Sequence, residues 1–251
     1  MKCYQIIFSP TGGTEKVSKA ITRNWKNTET IDLSVYGKDY SRISFDNDSL
    51  ALIAVPVFGG VVPQLALDRL SEIKANGAKC VIVAVFGNRA FDNALVQTED
   101  YAEKAGFKII AAVSASAEHS IVREYGAGRP NEKDCKELSE YGDRILEKAL
   151  GDNTDKPAIP GERPYKQSKT MLVPKADNSC ISCGLCAKNC PAGAISVTDL
   201  KETDKNKCIS CMRCVAQCPV KARKVNGVMV AAVSAAIKKA CAEEKPNILY
   251  I

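Results

Sequence analysis

One cysteine pattern, written twice, restricts this chain more than any other feature. Cys180, Cys183, Cys186 and Cys190 are followed by Pro191; Cys208, Cys211, Cys214 and Cys218 are followed by Pro219. Both runs read C-x2-C-x2-C-x3-C-P, and the copies lie 28 residues apart. A repeat of this kind implies a module with pseudo-twofold symmetry. Eight of the 12 cysteines fall in the two runs, whereas Cys3, Cys80, Cys135 and Cys241 are scattered and read as small buried hydrophobes. The N-terminal Met1-Lys-Cys-Tyr-Gln-Ile-Ile-Phe8 reads as a strand, not as a secretory leader, and the longest apolar stretch, Val228–Ile237, is too short to cross a bilayer. A cytoplasmic protein with no membrane contact is expected. In that reducing compartment, clustered thiols argue for metal and against disulfides.

The spacing narrows the metal. Two-residue gaps let a tight loop fold three thiolates around one iron–sulfur cubane. The fourth cysteine opens a helix directed away from that loop, and the proline after it suits a helix start, where an N–H is dispensable. The expected ligand sets are therefore crossed: Cys180, Cys183, Cys186 and Cys218 around one [4Fe–4S] cluster, Cys190, Cys208, Cys211 and Cys214 around a second. Zinc ribbons use isolated C-x2-C pairs, not triplets with a prolyl fourth cysteine. On these runs, residues 171–226 resemble the bacterial two-cluster ferredoxins, which implies a small α+β domain. Those ferredoxins carry small apolar residues after the second run, where this chain has Val220-Lys-Ala-Arg-Lys224. That segment reads either as a solvated face or as a basic rim for an acidic electron donor. With so little aliphatic content, the metal-free module is expected to be largely disordered.

The first 150 residues follow another logic. Apolar runs at Cys3–Phe8, Glu29–Leu33, Leu50–Val55, Cys80–Phe86 and Lys108–Val113 lack strict alternation, as strands buried on both faces do. Helical segments are expected at Thr14–Trp25, Gln64–Asn76, Asn93–Ala105 and Glu132–Leu150. The alternation predicts a doubly wound α/β domain over residues 1–151. The first strand runs into Ser9-Pro-Thr-Gly-Gly-Thr14, where hydroxyls, glycines and a helix N-terminus form an anion cradle. It lacks the lysine of a nucleoside-triphosphate loop and the G-x-G-x-x-G of a dinucleotide site, so a monophosphate suits it best.

Ser9, Thr11, Gly12, Gly13 and Thr14 resemble the phosphate loop of flavodoxins. That resemblance implies FMN and a five-stranded parallel sheet of order 2-1-3-4-5, with the flavin at the carboxyl ends of the strands. It also implies that Pro56, Val57, Phe58, Gly59 and Gly60 line one side of the flavin ring and Gly87, Asn88 and Arg89 the other. His119, the sole histidine, follows the fifth strand and is a further candidate for flavin contact.

Residues 152–170, with Pro157, Pro160, Gly161 and Pro164 among charged residues, read as a linker to a third segment, 171–251. This segment holds 12 Lys and Arg against 6 Asp and Glu, the source of the chain's net charge of +6. Two oxidised cubanes with their thiolates would offset most of that excess, and no aromatic-interleaved basic patch points to nucleic acid. Its tail reads as an amphipathic helix over Val228–Ala242 and a closing strand over Asn247–Ile251. The whole chain resembles the ferredoxin–flavodoxin fusion proteins of anaerobic bacteria and archaea. The resemblance implies an electron-transfer oxidoreductase that couples one-electron clusters to a two-electron flavin, its partners redox proteins or a small acceptor molecule, with a homodimer a further option. A pure carrier without its own substrate is the alternative. No catalytic residue is identifiable.

Overall fold

The computed structural model describes residues 1–165 and 172–251. The end of the expected linker and residue 171 lie outside the described residues.

The five apolar runs form strands β1 (Cys3–Ile7), β2 (Thr28–Asp32), β3 (Leu50–Pro56), β4 (Lys79–Phe86) and β5 (Lys108–Ser116). They pair in parallel in the order β2-β1-β3-β4-β5. Helices α1 (Gly13–Ile21), α2 (Gln64–Ser71), α3 (Ala94–Lys104) and α4 (Glu132–Leu150) cover the two faces, so β3 is buried along its whole length. One face packs Leu67, Leu70, Leu95 and Phe107 against the sheet, the other Val17, Ile21, Trp25, Leu138 and Ile145. Removing each such side chain from water contributes about 1.5–3 kcal/mol. α1 stops at Ile21, short of the expected Trp25, because the chain turns there for Trp25 Nε1 to donate to the Gly142 carbonyl on α4 at 3.0 Å. Gly142 lies against the Ile21 carbonyl with no room for a Cβ. α2 also ends earlier than expected, at Ser71, and β5 runs past the expected Val113 to Ser116.

The expected linker is not loose over its described part. Lys156 pairs with Glu99 and Glu103, Arg163 with Glu99 and Asp100, and Ile159 packs on the core, which straps residues 152–165 along α3. Beyond it, β6 (Lys175–Ala176) and β7 (Arg223–Lys224) form an antiparallel pair flanking two short helices, α5 (Leu185–Lys188) and α6 (Arg213–Ala216).

The tail departs from expectation in two ways. Its helix, α7 (Gly227–Ile237), is shorter than expected and carries no charged residue, so it is apolar all round and not amphipathic; it is also largely exposed, Val228 at 79%. Among the described residues no helix is long and apolar enough to cross a membrane. The final strand, β8 (Ile248–Tyr250), pairs antiparallel with β5 and makes the sheet six-stranded instead of five-stranded. It covers an edge that would otherwise present unpaired backbone groups. Asn247 anchors the tail, donating to Asp134 at 3.0 Å and Glu137 at 2.7 Å and accepting from the Ser116 N–H at 3.0 Å.

Candidate electron-transfer site

The eight clustered thiols surround two cavities of equal size, each about 340 Å³ between protein atoms and partly open to solvent. Cys180, Cys183, Cys186 and Cys218 line one; Cys190, Cys208, Cys211 and Cys214 line the other. Each cavity therefore takes three thiols from one run and the prolyl cysteine of the other. The loops turn through left-handed residues at repeat-related positions, Ser182 and Ser210 both at φ 54°, Gly184 at 73° and Met212 at 61°. The two halves meet where Asn189 donates to its repeat mate Gln217 at 2.9 Å. The Ala194 N–H points at Cys190 Sγ at 3.3 Å and its mate Ala222 at Cys218 Sγ at 3.2 Å.

These cavities suit a polyatomic cluster. Among the described residues, no three His, Cys, Asp or Glu side chains converge on a single-ion position, so the thiols ring a space and do not meet at a point. Each cavity is also lined by one arginine, Arg223 or Arg213, which matches the negative charge of a thiolate-ligated cluster. Arg223 is buried at 2% exposure, and its Nε makes no hydrogen bond among the described residues. The segment Val220–Lys224 is thus not one solvated face: Lys221 and Lys224 are exposed, while Arg223 turns inward to the Pro174 carbonyl at 3.1 Å and Thr203 Oγ1 at 2.6 Å. Burial pushes the metal-free Cys211 thiol up to about 11 and Cys214 up to about 12, so occupation of that set must displace protons. For Cys218 burial also acts to raise the value, but backbone N–H groups of Arg223, Ala222, Val220 and Lys221 outweigh it and hold the thiol below its ordinary range.

At the carboxyl edge of the sheet, Ser9–Thr14 joins β1 to α1. Gly12 adopts φ 91°, and no side chain caps α1 there. The first N–H groups of a helix have no intrahelical partner, and Ser9 Oγ takes only one of them, from Glu15 at 2.9 Å. Space beyond Gly12 is open, with nothing within 4 Å of where a Cβ would sit, which leaves the free N–H groups of the helix start accessible to an anion. Ser9 and Thr14 are buried and Thr11 is exposed; Gly13 abuts Ala117.

The two loops expected at the flavin ring adjoin. Pro56 belongs to β3 and is buried, and Val57 donates to the Val85 carbonyl at 2.9 Å. Phe58, half-buried, bridges to Val61 around Gly59 and Gly60. Gly60 packs against the Arg89–Asp92 ion pair. Asn88 is otherwise engaged than expected. It is buried, donates to the Cys241 and Glu243 carbonyls, both at 3.1 Å, and accepts from Lys245 N–H at 2.9 Å, so it fastens the tail to the sheet edge. His119 Nδ1 accepts from the Ile121 and Val122 N–H groups at 3.2 and 3.0 Å, which puts its proton on Nε2. Burial, reinforced by the Arg89 charge, lowers its pKa and keeps it neutral. A Cβ on Gly87 would lie 2.6–2.8 Å from His119 atoms, including its Cα. Gly87→Ala is expected to cost about 1–3 kcal/mol and to displace His119, a change read by urea unfolding.

Two arginines that sequence reading missed tie the cysteine module to this edge. Arg213 donates to Pro10 O at 3.1 Å, Ser9 O at 3.3 Å and Ser34 Oγ at 2.7 Å. Arg69 on α2 donates to both Leu33 O and Pro191 O at 2.7 Å. A signal existed: Met212-Arg213 stands where the first run has Gly184-Leu185, a break in the repeat that puts a charged residue in place of an apolar one.

Residues 168–223 match the family model described as a 4Fe-4S dicluster domain. Among solved structures the chain is similar to a flavodoxin from the domain Archaea, at 14% identity over 60% of this chain and 100% of that one, with a TM-score of 0.44. It is similar to oxidised flavodoxin 2 from Bacillus cereus, at 15% identity over 59% of this chain and 99% of that one, TM-score 0.44. It is also similar to Fusobacterium nucleatum flavodoxin bound to flavin mononucleotide, at 16% identity over 59% and 99%, TM-score 0.40. No curated protein matches the chain. By its own strand order and by its cysteine module, the chain joins a flavodoxin-like α/β domain to a ferredoxin-type 4Fe-4S domain.

Proposed function

We propose that the protein is an electron-transfer iron–sulfur flavoprotein that holds two [4Fe–4S] clusters and one FMN and passes electrons between them. The observation that carries this reading is the pair of equal cavities, each ringed by four thiols in crossed sets, one of them packed on a vacant-of-lysine phosphate loop. Cys180, Cys183, Cys186 and Cys218 would hold one cluster, and Cys190, Cys208, Cys211 and Cys214 the other. Ser9, Thr11, Gly12, Gly13 and Thr14 would hold the FMN phosphate. When bound, these groups supply one-electron and two-electron chemistry respectively.

The chain's own residues set position and access. The N-terminal N–H groups of α1 would bind the phosphate. The turn at Gly59–Gly60 and the Gly87–Arg89 loop would flank the ring, with Arg89 held in an ion pair with Asp92 beside Gly60. His119 presents a neutral imidazole behind Gly87. Two one-electron oxidations of a reduced carrier protein, with two protons from water, would balance a two-electron reduction at the flavin site.

Anaerobic purification followed by iron, sulfide and flavin analysis tests this. About eight iron, about eight sulfide and about one FMN per chain are expected. Zinc in place of iron, or a chain that takes up no FMN, would overturn the reading. A low-potential donor with quinones, nitroaromatics or enones then separates a reductase, which turns one of them over, from a carrier that only exchanges electrons with partner proteins.

A further inference from the structure

The two cysteine loops are repeats in sequence but occupy opposite environments. In the second loop Met212 is 2% exposed and Cys211 is 9% exposed. Ile209 packs against the core of the flavodoxin-like domain. Arg213, next to Cys214, reaches the Ser9 and Pro10 carbonyls of the phosphate loop. From the other run, Asn189 and Pro191 flank Cys190 and join the same contact, Asn189 O accepting from Arg213 at 3.4 Å and Pro191 O from Arg69 at 2.7 Å. At the repeat-related positions of the first loop, Ile181 is 62% exposed and Cys183 is exposed, as are Pro219 and Val220 after Cys218.

We infer that the two cluster sites have fixed and different places in the electron path, and that the path lies within one chain. The Cys190, Cys208, Cys211, Cys214 set is the flavin-side site, clamped to the phosphate loop by Arg213; the Cys180, Cys183, Cys186, Cys218 set is the solvent-side site, where an external one-electron carrier exchanges electrons. The inference rests on the proposed flavin and cluster content and adds the order. Each electron given up by the reduced carrier passes to the solvent-side site, then to the flavin-side site, then to FMN; the flow balances equally in reverse. Arg213 is a positioning residue. It lines the cavity of the thiol set beside it and also holds the Ser9 and Pro10 carbonyl oxygens of the loop that would take the phosphate, so it positions that set against the flavin side.

A paramagnetic cluster speeds the relaxation of a flavin radical steeply with proximity, and pulsed EPR on the loaded full-length chain reads this. In wild type, reduced clusters are expected to enhance flavin relaxation. Cys183→Ser should keep that enhancement, and Cys211→Ser should abolish it. Arg213→Ala, which retains all eight thiols, should weaken FMN binding about tenfold in fluorescence titration and diminish the enhancement per cluster loaded, with iron measured alongside; Arg213→Lys should restore part of both. Equal effects of the two cysteine variants, or an enhancement that vanishes on dilution and so comes from a neighbouring chain, would overturn the inference. A wild-type chain without FMN would instead refute the proposed function, so the two failures are distinguishable.

Discussion

Cys190→Ser is expected to remove the cluster site of the second run and to leave that of its own run intact. Cys190 follows α5 in the first run, yet its thiol lines the cavity of Cys208, Cys211 and Cys214. Burial raises the pKa of each of those three thiols, and the Cys190 charge adds to it in the same direction. Iron should fall by about half, and the cluster EPR signal that persists should disappear only in a double variant that also lacks Cys183. The flavin should lose its relaxation enhancement, as in Cys211→Ser. If each run held its own cluster, the opposite signal would persist. Cys218→Ser provides the mirror control: it should remove the solvent-side signal and leave the flavin coupled.

Asp134→Ala should be among the most destabilising single substitutions outside the metal sites. Asp134 forms a buried, two-bond pair with Arg129, Nε to Oδ2 at 2.9 Å and Nη2 to Oδ1 at 2.5 Å, with both side chains at most 7% exposed. It completes a capping box with Asn131 at the start of α4. It also accepts from Asn247, while Arg129 donates to the Lys245 carbonyl at 2.5 Å. One carboxylate thus joins α4, the loop after β5 and the tail strand β8. Removing it leaves a buried guanidinium unpaired, at a cost of about 3–5 kcal/mol, and thermal unfolding should shift down by about 10 °C. Burial acts to raise the Asp134 pKa, but hydrogen bonds from Arg129, Asn131 and Asn247 outweigh it, and the folded value lies below the ordinary one. The pair's contribution is therefore complete above the unfolded-state value near 3.8 and is lost as pH falls through the folded one. Wild type should lose this increment in acid and the variant should not. A variant with wild-type stability at neutral pH would show that the pair only breaks even.

The cysteine sets and the parallel sheet were readable because both are written in local patterns. Two-residue gaps bring three thiols around one cavity through loop geometry alone, and apolar runs without alternation mark strands covered on both faces. The partners of Asn88 were illegible for the opposite reason. The neighbouring Gly87 and Arg89 lie in the loop expected at the flavin ring, but the side chain bonds carbonyls more than 150 residues away in the tail. Arg213 was missed because an arginine inside a cysteine loop reads as surface charge until the loop has something to dock on. Gly142 carried no legible purpose either, since its close approach to Ile21 exists only once α1 and α4 meet.

Sequence by itself determined the groups available to this protein: two crossed sets of four thiols, a lysine-free Ser9–Thr14 loop after the first strand, and the alternation that builds the sheet. Each depends on residues close together in the chain or on exact repetition. Only the tertiary structure decided how those parts are arranged. It added the tail as a sixth strand, because β5 offered an open edge that β8 could pair. It also gave two near-identical cysteine loops different places, one against the phosphate loop and one toward solvent. A repeat treats its halves alike; packing against a single asymmetric neighbour cannot.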